Sequence, residues 1–212
     1  PVRSGAMPVA PPPDSRSPVT RLLVVRPGQS EWNAVGRWQG RADPPLTMEG
    51  QRQSVAAARA LGTFDAVVAS PLMRAAETAT IISEHLGIGP VLVETDLMER
   101  DAGEWQGLTR EQIEMDWPDY LEEGKRPPGY EPDDVMLDRV MAALDEVARR
   151  AAGGEVLVVA HGGVIYSLED ACGEPWRRIP NLGARWFEMA DGSLKAGPRV
   201  ELIPDGTLPD VL

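Results

Sequence analysis

The chain has 212 residues, 42% hydrophobic and 25% charged, a globular composition that predicts one domain at about 150 residues per domain. The net charge of −12, from 21 basic and 33 acidic residues, argues against nucleic acid and anionic membranes as partners, because both require attraction to phosphate surfaces. One cysteine and two histidines exclude an internal disulfide and argue against a Cys/His zinc cluster. We expect a cytoplasmic protein without a metal, a cofactor or a membrane-spanning helix.

The first 20 residues contain six prolines and no apolar run. This composition predicts a flexible Pro-rich tail over residues 1–20, with Met7 as a candidate start, and it lacks the apolar centre of a signal peptide. Residues 21–212 are predicted to form a single domain.

Strands and helices are predicted to alternate from residue 21 onwards. In chain order we expect a strand at 22–25, a helix at 47–61 capped by Thr47, a strand at 66–69, a helix from Ser70-Pro71 to Gly87, and a strand at 91–93. There follow a short helix with a Thr109/Gln112 capping box, an amphipathic helix at 133–153, a strand at 156–160, a helix from about 164, and a hairpin of 185–190 with 199–203. This order predicts a three-layer α/β/α sandwich around a largely parallel sheet.

Polar side chains follow three of the predicted strands, where ligands of such sheets bind. Arg26 and Asn33 follow the first strand, Arg74 follows the second, and His161 follows the fourth. Arginine presents a planar fork of donors that matches phosphate oxygens, so these residues together predict a pocket for a phosphoryl group. Taken singly, a strand-end arginine is more often part of a surface ion pair.

Four segments carry a more specific pattern: LLVVRPGQSEWNAVGRWQGRADPPLTMEGQRQ, SPLMRAAETA, LMERDAGEWQGLT and VLVVAHGG. In this order they resemble the histidine phosphatase superfamily, in its phosphoglycerate-mutase-like branch, from about Leu22 to Gly163. The resemblance implies a phosphoglycerate-mutase-like fold and a small phosphorylated molecule as the partner, and it leaves a homodimer open.

The resemblance also implies a role for each matching residue. Arg26, Asn33 and Arg74 would be phosphate ligands, His161 a second histidine that donates to the phosphoryl oxygens, and Glu99 the proton donor to the leaving oxygen. Ser30 and Arg37 would lie at the pocket rim. The family places its nucleophilic histidine directly after the first arginine, and here that position is Pro27.

Proline cannot replace that histidine, because its amide nitrogen has no lone pair to attack phosphorus and no proton to donate. Losing the nucleophile of a covalent mechanism can cost about 10⁶-fold in rate. Ser30 or His161 could attack or activate water instead. A laboratory substitution would also account for Pro27, although a natural sequence is favoured.

Three functions follow from the pattern. The first is a phosphatase by ancestry with absent or strongly reduced activity, and the second is a non-catalytic phospholigand-binding or regulatory protein. The third is an assembly protein with a vestigial pocket. The resemblance favours the phosphatase side of the family over the mutases, because mutases carry a longer segment between the Glu99 block and the final histidine and need a phosphorylated histidine, which Pro27 forbids. Tyr130 and Pro132 depart from the family pattern near the substrate entrance and favour a relaxed or altered substrate demand.

Overall fold

The computed structural model describes residues 18–203. Within them the strands are β1 (Thr20–Val25), β2 (Ala66–Ala69), β3 (Leu92–Val93), β4 (Glu155–Val159), β5 (Gly183–Ala190) and β6 (Ser193–Glu201). The helices are α1 (Glu31–Ala34), α2 (Met48–Ala60), α3 (Met73–Leu86), α4 (Arg110–Asp116), α5 (Asp133–Ala151) and α6 (Gly162–Ala171).

The strands form one sheet in the order β3-β2-β4-β1-β5-β6. β3, β2, β4 and β1 run parallel, while β5 is antiparallel to β1 and β6 is antiparallel to β5. The predicted terminal hairpin is confirmed and is longer than expected, and it extends the sheet beyond β1. The carboxyl ends of β1, β2 and β4 therefore meet at one edge.

Helices cover both faces of the sheet. Alternate residues of β1 separate the two cores, since Leu22 and Val24 pack with α5 and α6, and Leu23 and Val25 pack with α2 and α3. Strands buried on both faces read as continuous apolar runs, which is why the sequence identified them. The predicted three-layer α/β/α sandwich is confirmed.

Two helix starts differ from the prediction. α3 begins at Met73 instead of Ser70-Pro71, because the Ser70 hydroxyl accepts from the Leu72 amide (3.3 Å) within the preceding turn. α6 begins at Gly162 rather than near residue 164. α1 was not predicted at all, since four residues are too few for an apolar period.

Of the predicted Pro-rich tail over residues 1–20, residues 1–17 lie outside the described residues. Thr20 already belongs to β1, and its hydroxyl donates to the Ala148 carbonyl (3.0 Å) and accepts from the Gly153 amide (3.1 Å). In the part of the chain that the structure describes, no helix is long and apolar enough to cross a membrane.

Candidate functional site

A cavity of about 780 Å³ lies beyond the carboxyl ends of β1, β2 and β4. Its volume falls in the range of sites for small organic ligands. It brings together most of the residues singled out in the sequence, which are Arg26, Pro27, Asn33, Arg37, Arg74, Glu99 and His161.

Two buried arginines form the inner end of the cavity. Arg26 donates from Nη1 to the Ile179 carbonyl (2.7 Å), and Arg74 donates from Nη1 and Nη2 to the carbonyls of Ala42 (2.8 Å) and Gly40 (2.9 Å). Neither guanidinium has an ion-pair partner within residues 18–203. These carbonyls fix the side chains without neutralising them, so two positive charges remain for an anion.

Burial is also the main influence on the protonation of these arginines. It lowers the pKa of Arg26, and it lowers the pKa of Arg74 to about 10, although the nearby Glu99 carboxylate acts in the opposite direction on both. Arg74 therefore remains protonated at neutral pH.

His161 is the N-cap residue of α6 and is 2% exposed. Its Nε2 lies 2.8 Å from the hydroxyl of Ser70, which is completely buried. Burial holds the pKa of His161 well below its usual range, and the positive charges of Arg74 and Arg26 lower it further. The imidazole is therefore neutral at pH 7 and carries a single ring proton.

The start of α6 also positions Glu99. Its Oε2 accepts from the Gly163 amide (3.1 Å), and its Oε1 accepts from the Arg100 amide (2.8 Å). A Cβ on residue 163 would lie 2.2 Å from Glu99 Oε1, so only glycine permits this approach. The half-buried carboxylate is thus held at the cavity wall beside the N-terminus of α6.

Ser30 differs from the expectation of a rim position, because it is completely buried. It is the N-cap of α1, where its hydroxyl accepts from the Asn33 amide (3.2 Å) and donates to Gln39 Oε1 (2.7 Å). In return, Asn33 Oδ1 accepts from the Ser30 amide (3.3 Å). Ser30 therefore holds Asn33 at the cavity without reaching it. Arg37 does line the cavity and donates to the Gly107 carbonyl.

Asn181 is a buried cavity residue that the sequence reasoning missed. Its Nδ2 donates to the Pro27 carbonyl (2.9 Å) and to Asn33 Oδ1 (3.4 Å). Asn181 thus links the segment after β1 to the loop before β5. Local sequence patterns do not predict a contact between residues so far apart in the chain.

An outer chamber was also missed. Three arginines line it: Arg100 pairs with Asp133 (2.6 Å), Arg110 pairs with Glu114 (2.7 Å), and Arg126 lies over the rings of Tyr130 (5.2 Å) and Trp105 (5.8 Å). Arg126 has no carboxylate partner within residues 18–203. The cavity is thus larger and more cationic than the phosphoryl pocket that the motifs predicted.

Among residues 18–203, no three His, Cys, Asp or Glu side chains are grouped so that they could hold a metal ion. The charged groups at the inner end are those of Arg26, Arg74 and Glu99, so the arrangement suits an anion that carries a protonatable leaving oxygen.

The sheet topology, with a cationic pocket beyond the carboxyl ends of its parallel strands, defines the class as an α/β sandwich with a strand-end site. The family model of the histidine phosphatase superfamily (branch 1) matches residues 22–193, and the chain belongs to this superfamily.

Several relatives are similar over most of their length. The uncharacterized phosphatase PhoE of Bacillus subtilis is 35% identical over 74% of this chain and 80% of the relative. A glucosyl-3-phosphoglycerate phosphatase of Mycolicibacterium vanbaalenii is 35% identical over 81% and 84%, and a metal-independent phosphoserine phosphatase of Arabidopsis thaliana is 37% identical over 72% and 68%.

A solved structure of the mycobacterial glucosyl-3-phosphoglycerate phosphatase, described as a complex with VO3, has 30% identity and a TM-score of 0.73. The match covers 84% of this chain and 99% of that one.

Proposed function

We propose that the chain binds a phosphomonoester in this cavity and is a phosphatase by ancestry whose turnover is absent or strongly reduced. One observation carries the proposal. Pro27 lines the cavity directly after Arg26, and the resemblance of the first motif assigns this position to the nucleophilic histidine. The surrounding anion-binding groups are retained.

The binding half of the proposal rests on charge. Arg26 and Arg74 are phosphate ligands, because a phosphoryl dianion supplies the counter-charge that the neighbouring carbonyls do not. Asn33 and the neutral His161 each contribute a donor, and the N-terminus of α6 adds backbone amides. Arg37 contacts the ligand at the rim.

The catalytic half rests on the covalent chemistry of proline. Phosphoryl transfer to an imidazole requires a nitrogen lone pair, which forms the N–P bond as the P–O bond to the leaving group breaks. The Pro27 nitrogen is an amide and cannot form that bond. Glu99 remains as the proton donor to the leaving oxygen, but protonation alone supplies only about 10² to 10⁴-fold of rate.

The second candidate is a non-catalytic phospholigand-binding or regulatory protein. The retention of two buried arginines without acidic partners favours it over a vestigial pocket, because unpaired buried charges are costly to keep. The relatives' names include phosphatases of phosphoserine and of glucosyl-3-phosphoglycerate, so the ligand is a small phosphorylated molecule. The single cysteine suits a cytoplasmic location, and sedimentation would distinguish a monomer from a homodimer.

Binding is tested by thermal unfolding in the presence of phosphate or vanadate. Either anion should raise the melting temperature, since a ligand selective for the folded state stabilises it. Arg74→Ala should abolish the rise. Arg52→Ala is the matched control, because Arg52 is exposed and paired with Glu49 (2.6 Å) away from the cavity. An unchanged rise in Arg74→Ala would place the anion elsewhere.

Turnover is tested on a panel of phosphomonoesters. The protein should show little hydrolysis, and Pro27→His should raise it at least about 100-fold, a modest part of what a nucleophile supplies. Pro27→Ala removes the same ring without adding a nucleophile and should show no gain. Pro27→His combined with Arg74→Ala should lose the gain.

Two outcomes would contradict the proposal that Pro27 is the cause of the reduced turnover. Acid-labile phosphate trapped on His161 would show that the chemistry has moved to that residue. A folded Pro27→His protein without any gain would make the binding protein the leading function.

A further inference from the structure

One wall of the cavity is formed by α6 and the segment that follows it. The face of α6 that lines the cavity carries Tyr166, Ser167 and Asp170, while Val164 and Leu168 lie in the core. Trp176, in the segment after α6, lines the cavity next to them. We refer to Tyr166, Ser167, Asp170 and Trp176 as the α6 wall.

Trp176 is the aromatic platform of this wall. Trp176 is 65% exposed, although tryptophan is highly buried on average. It contacts Tyr166, whose ring centroid is 5.9 Å away at an interplanar angle of 42°. The Tyr166 hydroxyl accepts from the Ile179 amide (2.9 Å), which fixes the segment that carries Trp176. The indole is thus exposed on a supported segment.

The polar groups beside the indole have no protein partners. Within residues 18–203, neither the Ser167 hydroxyl nor the Asp170 carboxylate makes a hydrogen bond or ion pair. Serine in a helix commonly bonds the carbonyl one turn earlier, as Ser54 does with Gly50 (2.8 Å). Ser167 makes no such bond, so its hydroxyl is available to a ligand.

We propose that the α6 wall binds the sugar ring of a sugar monophosphate, and this rests on the proposed phosphoryl pocket in the same cavity. The apolar face of a sugar ring packs flat on an indole, and its hydroxyls donate to a carboxylate and exchange hydrogen bonds with a serine hydroxyl. One exposed ring flanked by acceptors matches a ligand with one apolar face and a hydroxylated edge.

The charge of the wall argues against a nucleoside polyphosphate. Asp170 lies on this wall, and Asp133 and Asp134 line the same cavity. Arg100 neutralises Asp133 (2.6 Å), but Asp170 has no ion-pair partner within residues 18–203. The Asp170 carboxylate therefore repels a further phosphate at this wall and accepts from the hydroxyl groups of a neutral sugar.

The helix sets the distance between the two ends. At 1.5 Å per residue, Ser167 and Asp170 lie about 9 and 14 Å along α6 from His161. Their side chains lean back towards the helix N-terminus and shorten that span. A hexose whose phosphate occupies the inner pocket is therefore of the right length to bring its ring towards Ser167, and Trp176 lines the same cavity.

The test is isothermal titration with four probes: inorganic phosphate, glycerol 3-phosphate, glucose 6-phosphate and adenosine monophosphate. Glucose 6-phosphate should bind at least about tenfold more tightly than glycerol 3-phosphate, and Trp176→Ala should remove that advantage. Trp176→Phe should retain most of it. Asp170→Asn should weaken glucose 6-phosphate alone. Asp138→Asn is the matched control, since Asp138 is exposed and lies off the cavity.

The failures are distinguishable. No binding of inorganic phosphate would overturn the proposed function itself. Normal phosphate binding with no preference for glucose 6-phosphate, or with a preference that survives in Trp176→Ala, would overturn the sugar site alone. If adenosine monophosphate binds more tightly than glucose 6-phosphate and this binding depends on Trp176, the α6 wall binds a nucleobase and not a sugar, and the sugar site is overturned.

Discussion

The neutral state of His161 predicts a specific loss of stability in acid. Burial, with Arg74 and Arg26 nearby, holds the pKa of His161 well below 6.5 in the folded protein. The unfolded chain exposes the imidazole, which then titrates near 6.5. Below that pH the unfolded state binds a proton that the folded state does not, so stability falls as pH falls.

The magnitude follows from one proton. Each pH unit below 6.5 removes up to about 1.4 kcal/mol, so a decrease to about pH 5 removes up to about 2 kcal/mol. The titration of Glu131 does not contribute to the loss of stability between about pH 6.5 and 5. Burial raises its pKa, but hydrogen bonds and charge from Arg139 outweigh burial and hold the pKa below 4.5, so its stabilising charge is lost only in stronger acid.

The assay is urea unfolding between about pH 7.5 and 5, with His161→Gln as the reference, because Gln has no titrating ring and reaches Ser70. The stability of the parent protein should fall more steeply than that of His161→Gln. Phosphate should reduce the difference in pH dependence between the two proteins. A dianion between the arginines favours the imidazolium and so raises the pKa of His161 in the folded protein. Parallel curves for the two proteins without phosphate would refute a buried neutral His161.

Two further substitutions test the surroundings of the cavity. Gly163→Ala should displace the Glu99 carboxylate from its 3.1 Å hydrogen bond to the residue 163 amide. In the Pro27→His protein this change should lower the hydrolysis rate at least about tenfold. Equal rates with and without Gly163→Ala would show that Glu99 takes no part in hydrolysis. Glu131→Gln breaks the buried pair with Arg139 (2.8 Å) and should cost about 3 kcal/mol in urea unfolding; a cost below about 1 kcal/mol would show a pair no stronger than a surface one.

The sheet was predictable because its strands carry their own signal. Apolar runs identified β1, β2 and β4, and capping residues such as Thr47 and Thr109 marked the helices that follow turns. The start of α6 was missed because Gly162 and Gly163 resemble a turn. In the folded protein these glycines start the helix, and Gly163 also admits the Glu99 carboxylate.

The inner cavity was predictable for a topological reason. Parallel strands bring their carboxyl ends together, so Arg26, Arg74 and His161 could be expected at one edge. Asn181 and Trp176 could not be found in this way, because they lie in the irregular segment between α6 and β5. Their positions depend on contacts with residues 27 and 166, which no local pattern encodes.

The backbone around residue 27 explains why proline is compatible with the fold. Arg26 still belongs to the sheet, since its amide donates to the Gly183 carbonyl (2.9 Å) and its carbonyl accepts from the Leu182 amide (3.1 Å). The Pro27 carbonyl accepts from Asn181, and the Gly28 amide donates to Thr78 Oγ1 (3.2 Å). These four backbone groups of residues 26–28 are paired, and none of the four bonds requires an N–H at residue 27. A proline at this position changes what the cavity can do to a phosphoryl group without removing a bond that holds the arginine beside it.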